Sequence, residues 1–77
     1  MSYDKDKVDN TVLALLHFTS WKERTHTRAW KGHNWDVLDR LHAKGLISDP
    51  KNKSKSLVLS DEGARRSAEL FEQFFGS

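Results

Sequence analysis

A chain of 77 residues with no cysteine and a net charge of +2 has room for one domain, residues 1–77, near the size at which a single core barely offsets chain entropy. Neither disulfides nor a cysteine zinc site can brace it, so three tryptophans and four phenylalanines must supply much of the buried area, each ring removing about 150–250 Å² from water. Its longest apolar run, 12–18, is broken by His17 and falls well short of the ~20 residues a membrane helix needs. An acidic start at Asp4, Asp6 and Asp9 does not suit a signal peptide, and the expectation is a cytoplasmic protein off the membrane.

The spacing predicts a first helix over about 4–20, capped by Ser2 or Asp4, with Val8, Val12, Leu15, Leu16 and Thr19 recurring at helical period. Leu13 and Phe18 widen this arc enough to require packing on two sides, leaving Asn10, Ala14 and His17 as the polar side. Residues 21–33 show no clean period and read as a loop with a short strand at 28–31. Asn34 caps a second helix over 35–44, and Gly45 is placed to end it in the left-handed conformation. Trp35, Val37, Leu38, Leu41 and His42 form its apolar side, with His42 as a hydrogen-bonded core histidine. Two short apolar runs, 46–48 and 56–59, flank the turn-rich segment around Pro50 and predict a β-hairpin. Ser60 caps a last helix whose apolar side is Ala64, Ala68, Leu70, Phe71, Phe74 and Phe75.

The fold class that follows is α+β, mainly α and winged-helix-like: helix, loop with a short strand, helix, β-hairpin wing, helix. Residues 41–47 (LHAKGLI) and 57–63 (LVLSDEG) are similar to the recognition-helix exit and wing exit of multiple-antibiotic-resistance-type regulators. Over nearly its full length the chain also resembles a family of short bacterial proteins of unknown function. That likeness is carried by Ala29 to Gly32, Trp35-Asp36, Leu38 to His42, Lys44-Gly45, Ile47 to Pro50, Lys55-Ser56 and Glu62 to Arg66. The first resemblance implies a winged helix and, with it, duplex DNA as a partner. The second has no established activity to lend.

Positive charge concentrates in two stretches. Residues 21–33 carry a net +3 from Lys22, Arg24, Arg28 and Lys31 against Glu23, and 48–59 a net +2 from Lys51, Lys53 and Lys55 against Asp49. The leading expectation is therefore a nucleic-acid-binding domain, a small transcriptional regulator, using Arg24, Arg28, Lys31, Arg40, Lys51, Lys53 and Lys55. Asp36 and Asp39 on the presumed recognition helix oppose this, as does the missing helix before it, and they favour the alternative of a protein-interaction or dimerisation module. Trp21 and Trp30 either close the core, the commoner use of such residues, or stack on bases. A homodimer is expected through Phe18, Leu70, Phe74 and Phe75, the alternative being that the terminal helices satisfy each other in a monomer. No motif sets a nucleophile beside a base, so no enzyme and no cofactor are expected. Nor is a metal, because His17, His26, His33 and His42 include no pair at i, i+4.

Overall fold

A computed structural model of the chain describes residues 2–76. The fold is α+β, about half of it helical: α1 (Lys5–Phe18), β1 (Trp21–Glu23), β2 (His26–Trp30), α2 (Trp35–Ala43), β3 (Ser56–Leu59) and α3 (Asp61–Phe75). The strands form one antiparallel sheet in the order β1-β2-β3, and no helix among the described residues is long and apolar enough to cross a membrane.

Asp4 caps α1 by accepting the Lys7 N–H at 3.0 Å. The helix ends at Phe18 rather than at 20, because Thr19 and Ser20 turn their hydroxyls back to donate to the carbonyls of Leu15 and His17. Asp9, Leu13 and Leu16, spaced i, i+4, i+7, lie on its buried face. Ala14, expected on the polar side, is also buried, since α1 packs against α3 and against α2 and is covered from two directions.

Residues 21–33 hold a hairpin where the sequence predicts a loop with a strand at 28–31. Glu23 pairs with His26 across the two-residue turn Arg24-Thr25, and Trp21 pairs with Arg28. Arg24 takes φ 58°, a left-handed position that turns usually give to Gly or Asn, so no turn signal is visible in the sequence. β2 then pairs with β3 from Thr27↔Leu59 to Trp30↔Ser56. Alternation sends Ala29, Leu57 and Leu59 into the core and sets Trp21, Arg28, Trp30, Ser56 and Val58 on the opposite side of the sheet.

The predicted hairpin between 46–48 and 56–59 is reduced to one antiparallel bridge, Ile47↔Leu59, beside the Ser48 N–H donating to the Val58 carbonyl at 2.8 Å. Ser48 itself ends the ladder, because its Oγ accepts the Val58 N–H at 3.0 Å in place of a backbone carbonyl. The main partner of β3 is β2.

Asn34 caps α2 by accepting from the N–H groups of Asp36 and Val37. The buried residues are Val37, Leu38 and Leu41; Trp35, expected in the core, is 56% exposed. At ~100° per residue, Trp35 projects roughly 110° from the centre of the Val37-Leu38-Leu41 arc, outside what the sheet and α1 cover. His42 is exposed for the same reason, although its Nδ1 keeps a 3.0 Å hydrogen bond with the Ile47 carbonyl. Gly45, at φ 75°, donates to the His42 carbonyl and Leu46 to the Leu41 carbonyl, the paired bonds of a Schellman C-cap.

This exit is joined to the start of α3. Ser60 Oγ donates to the Gly45 carbonyl at 2.7 Å and accepts the Gly63 N–H at 2.9 Å, while the Ser60 N–H donates to the Leu46 carbonyl at 3.0 Å. Gly63, Ser67 and Leu70 form the buried face of α3, small residues where the backbones come closest. The Lys-Gly-Leu and Leu-Ser-Asp-Glu-Gly segments thus meet as one structural joint.

Candidate nucleic-acid interface

The side of the sheet facing away from the helices is open. Trp30 stands 57% exposed on it, and its ring centroid lies 4.8 Å from that of Trp21 at an interplanar angle of 42°. The two tryptophans are diagonal neighbours across the β1–β2 ladder, close enough for large rings to touch. Arg28, opposite Trp21, donates from Nε to Ser56 Oγ at 3.1 Å.

Beyond Trp30 the ladder continues one step as the Lys31 N–H donates to the Lys55 carbonyl at 3.1 Å. The segment that brings Lys55 there is built on its own side chains. Asp49 Oδ1 accepts the Lys51 N–H and the Asp49 carbonyl accepts from Asn52 Nδ2, both at 2.9 Å. Asn52 Oδ1 in turn accepts the Ser54 N–H at 2.9 Å and the Lys31 ammonium at 2.7 Å. Pro50 is fully buried beneath them. Lys53 and Lys55 therefore extend, exposed, from a loop whose backbone is fixed.

Of the seven cations singled out in the sequence, Arg28, Lys31, Lys53 and Lys55 belong to the Trp30 end of the sheet or the loop that follows it, Arg28 on the open side and Lys31 and Lys55 alternating to the other. Among the described residues no carboxylate lies within 4.0 Å of any of the four. Arg24 sits in the hairpin turn at the far end, beyond His26, which is itself four residues or roughly 13 Å from Trp30 along β2. Lys51 leans to α2, with Nζ 3.8 Å from Asp39.

Arg40 has a different occupation. Its Nε lies 3.0 and 2.8 Å from the two oxygens of Asp9 and its Nη2 2.8 Å from Oδ1, while Lys44 Nζ adds a contact at 3.1 Å. Asp9 is 0% exposed. Burial pushes its carboxyl upward, but the hydrogen bonds and charges of Arg40 and Lys44 outweigh this and hold it below the usual carboxylate range. The same pairing, through the hydrogen bond to Asp9 first, raises the Arg40 guanidinium. The solvent side of α2 is thus left to Trp35, Asp36, Asp39, His42 and Ala43. Asp9 escapes a reading by charge totals; its visible signal is a carboxylate in register with Leu13 and Leu16.

A second surface lies at the ends of α1 and α3. Phe18, 69% exposed, stacks on Phe71 at 5.5 Å, and Phe71 meets Phe75, 53% exposed, at 5.3 Å. With Leu15 they line a shallow apolar groove of ≈ 250 Å³. Phe74 is partly exposed beside them, but Leu70, expected at this surface, is buried in the core because it follows Gly63 and Ser67 on the inner face of α3. A polar cleft of ≈ 410 Å³ is lined by Asp6, Asn10, Lys44, Leu46, Glu62 and Arg66, whose interleaved charges favour neither sign of ligand. The histidines are dispersed: His17 packs on Phe71, His42 bonds Ile47, and half-buried His33 has its pKa lowered by burial.

The chain is 60% identical over 75 residues to the uncharacterized protein y4hR of Sinorhizobium fredii (strain NBRC 101917 / NGR234), and the match covers 97% of both chains. No solved structure matches it. A family model, the domain of unknown function DUF6429, matches residues 4–77. By that near-complete match, and by a relative this similar over its whole length, the chain belongs to the DUF6429 family.

Proposed function

We propose that this protein binds nucleic acid on the open side of the sheet and the adjoining 49–55 loop. The observation that carries the reading is Arg28 on the open side with Lys53 and Lys55 exposed on the adjoining loop, none of the three with a partner carboxylate among the described residues. Among the described residues Arg40, Lys44, Lys51 and Arg65 are each matched to an acidic group, while Lys5, Lys7, Lys22, Arg24 and Arg66 are not, so the placing of the cations beside the open side, rather than the lack of a partner alone, supports the reading. Lys31 has a structural use in holding Asn52, but Lys53 and Lys55 extend into solvent with no hydrogen bond from their ammonium groups to the described residues. The chain path is compatible with the reading: α2 leaves through Gly45 into a segment bridged once to β3, and a basic loop leads back into that strand. The test is a titration at low salt with duplex and single strands. Binding should weaken steeply as salt rises, and Lys53→Glu with Lys55→Glu should abolish it, since phosphate contacts dominate such affinity. Binding that ignores both salt and the double variant would reject the reading.

The aromatic patch favours a second reading, self-association through a two-fold contact of Phe18, Phe74 and Phe75 with the same residues of a second copy. Burying these rings removes exposed apolar surface, and a net charge of only +2 puts little repulsion between two copies. Light scattering across a concentration series should rise above the monomer mass of 8.9 kDa. Phe75→Glu should return it to that mass with unchanged circular dichroism. A monomer at the highest concentration rejects the dimer.

A further inference from the structure

We infer that the nucleic acid taken by this surface is single-stranded, DNA or RNA, and that its bases stack on Trp30 and Trp21. The inference rests on the nucleic-acid reading and adds to it the class of ligand.

Two independent features carry it. The first is what α2 lacks. Duplex reading by a helix requires its solvent side to enter a groove walled by one phosphate charge per ~1.7 Å, but here that side offers Asp36 and Asp39 and no free cation. Arg40, the only Lys or Arg within the helix, and Lys44 at its C-cap, the cations a groove would need, are turned onto buried Asp9. The second is what the sheet offers. Trp30 packs on Trp21 across the ladder yet stays 57% exposed on the open side, so most of its ring is left to solvent in a chain short of apolar area. The two rings meet at 42° rather than stacking flat on each other, so ring faces remain for flat partners. Bases of a single strand are such partners, because every base has a π-face; bases of a duplex are already stacked and withheld.

The cations complete the arrangement. Arg28 lies beside Trp21 on the same side of the sheet; Lys31 and Lys55, one step beyond Trp30, alternate to the other side, where the Lys31 ammonium is held by Asn52, and Lys53 extends from the fixed loop at that end. A strand running along β2 would meet two rings with Arg28 beside them and the lysines of the 49–55 loop at the Trp30 end, the combination of stacking and positive charge that binds bases with little regard to their sequence.

The experiment compares oligothymidylate, oligouridylate and a duplex of equal length by fluorescence anisotropy, with quenching of tryptophan emission as a second readout, on the wild type and on Trp30→Ala and Trp30→Phe. At least one single strand should bind about tenfold or more tightly than duplex, with quenching. Trp30→Ala should lose about tenfold for that strand, leave duplex binding unchanged and keep the circular dichroism of the wild type; Trp30→Phe should retain most of the affinity. Equal or tighter duplex binding, or a Trp30→Ala loss that is the same for both ligands, overturns the inference while leaving the nucleic-acid reading in place. No binding to any of the three rejects both.

Discussion

Gly63→Ala should destabilise the protein by about 3 kcal/mol or more, at the upper end of what overpacking does. A Cβ placed on Gly63 would overlap the carbonyl oxygen of Leu46 and approach its carbon to 2.8 Å. Neither atom can give way cheaply. The Leu46 carbonyl accepts the Ser60 N–H, and the Leu46 N–H donates to Leu41 as the second bond of the α2 C-cap. Making room means moving the first turn of α3 away from the α2 exit and breaking the Ser60 contacts with Gly45 and Gly63 together. Gly45→Ala is a useful contrast, because nothing lies within 4 Å of a Cβ there and only the left-handed φ of 75° opposes it, about 1–2 kcal/mol. Since 1 kcal/mol shifts Tm by about 4–8 °C in a domain this small, thermal unfolding should separate the two variants clearly. Equal melting temperatures for both would mean that the close approach at Gly63 is not what holds α3 in place.

Asp9→Asn should cost about 2–3 kcal/mol at pH 7 and much less at pH 2. Removing one member of a buried ion pair is strongly destabilising, about 3–5 kcal/mol when the survivor stays buried. Here Arg40 and Lys44 are partly exposed and reach solvent once released, which places the effect near or below the lower bound. The pH dependence follows from the depressed carboxyl of Asp9. Its folded pKa lies below the unfolded value of about 3.9, so its contribution is complete above that value and is lost as pH falls through the folded pKa. Wild type should therefore shed stability below about pH 4 along a curve that the variant, which has no carboxyl to protonate, does not follow at this site. Urea midpoints at several pH values measure it; a gap between wild type and variant that stays constant from pH 7 to pH 2 would show that Asp9 titrates alike in both states.

Features that depend on neighbours in the chain were legible in the sequence, and those set by distant partners were not. Asp4, Asn34 and Ser60 announce helix starts because a cap bonds an amide two or three residues on, and Gly45 announces an end because only glycine takes its φ readily. The hairpin of β1 and β2 stayed hidden because its turn is Arg-Thr and its pattern is inverted. Trp21 and Trp30 lie on the open side while Lys22 and Thr27 occupy the core-side positions, so alternation points the wrong way. Trp35 and Leu70 were misplaced in opposite senses, since periodicity gives the direction of a side chain but not the extent of what covers it. Of the candidate site, the lysines of the 49–55 loop were legible as charge. That Arg28 shares the open side with Trp21 and Trp30, that Lys31 adjoins Lys55, and that Arg40 is taken by Asp9 depend on strand pairing and on a contact 31 residues away.

The packing of α1 against α3 bears on how the chain is made. During synthesis the apolar face of α1, with Leu13 and Leu16, emerges first, but the residues that cover it on α3, from Gly63 to Leu70, emerge last. β2 likewise waits for β3, some thirty positions downstream, before its second ladder can close. No early fragment holds a finished core, so a nascent chain stopped before residue 60 exposes leucines that the complete domain buries. Folding of this domain is then expected to be a largely all-or-none event that waits for α3 to become available.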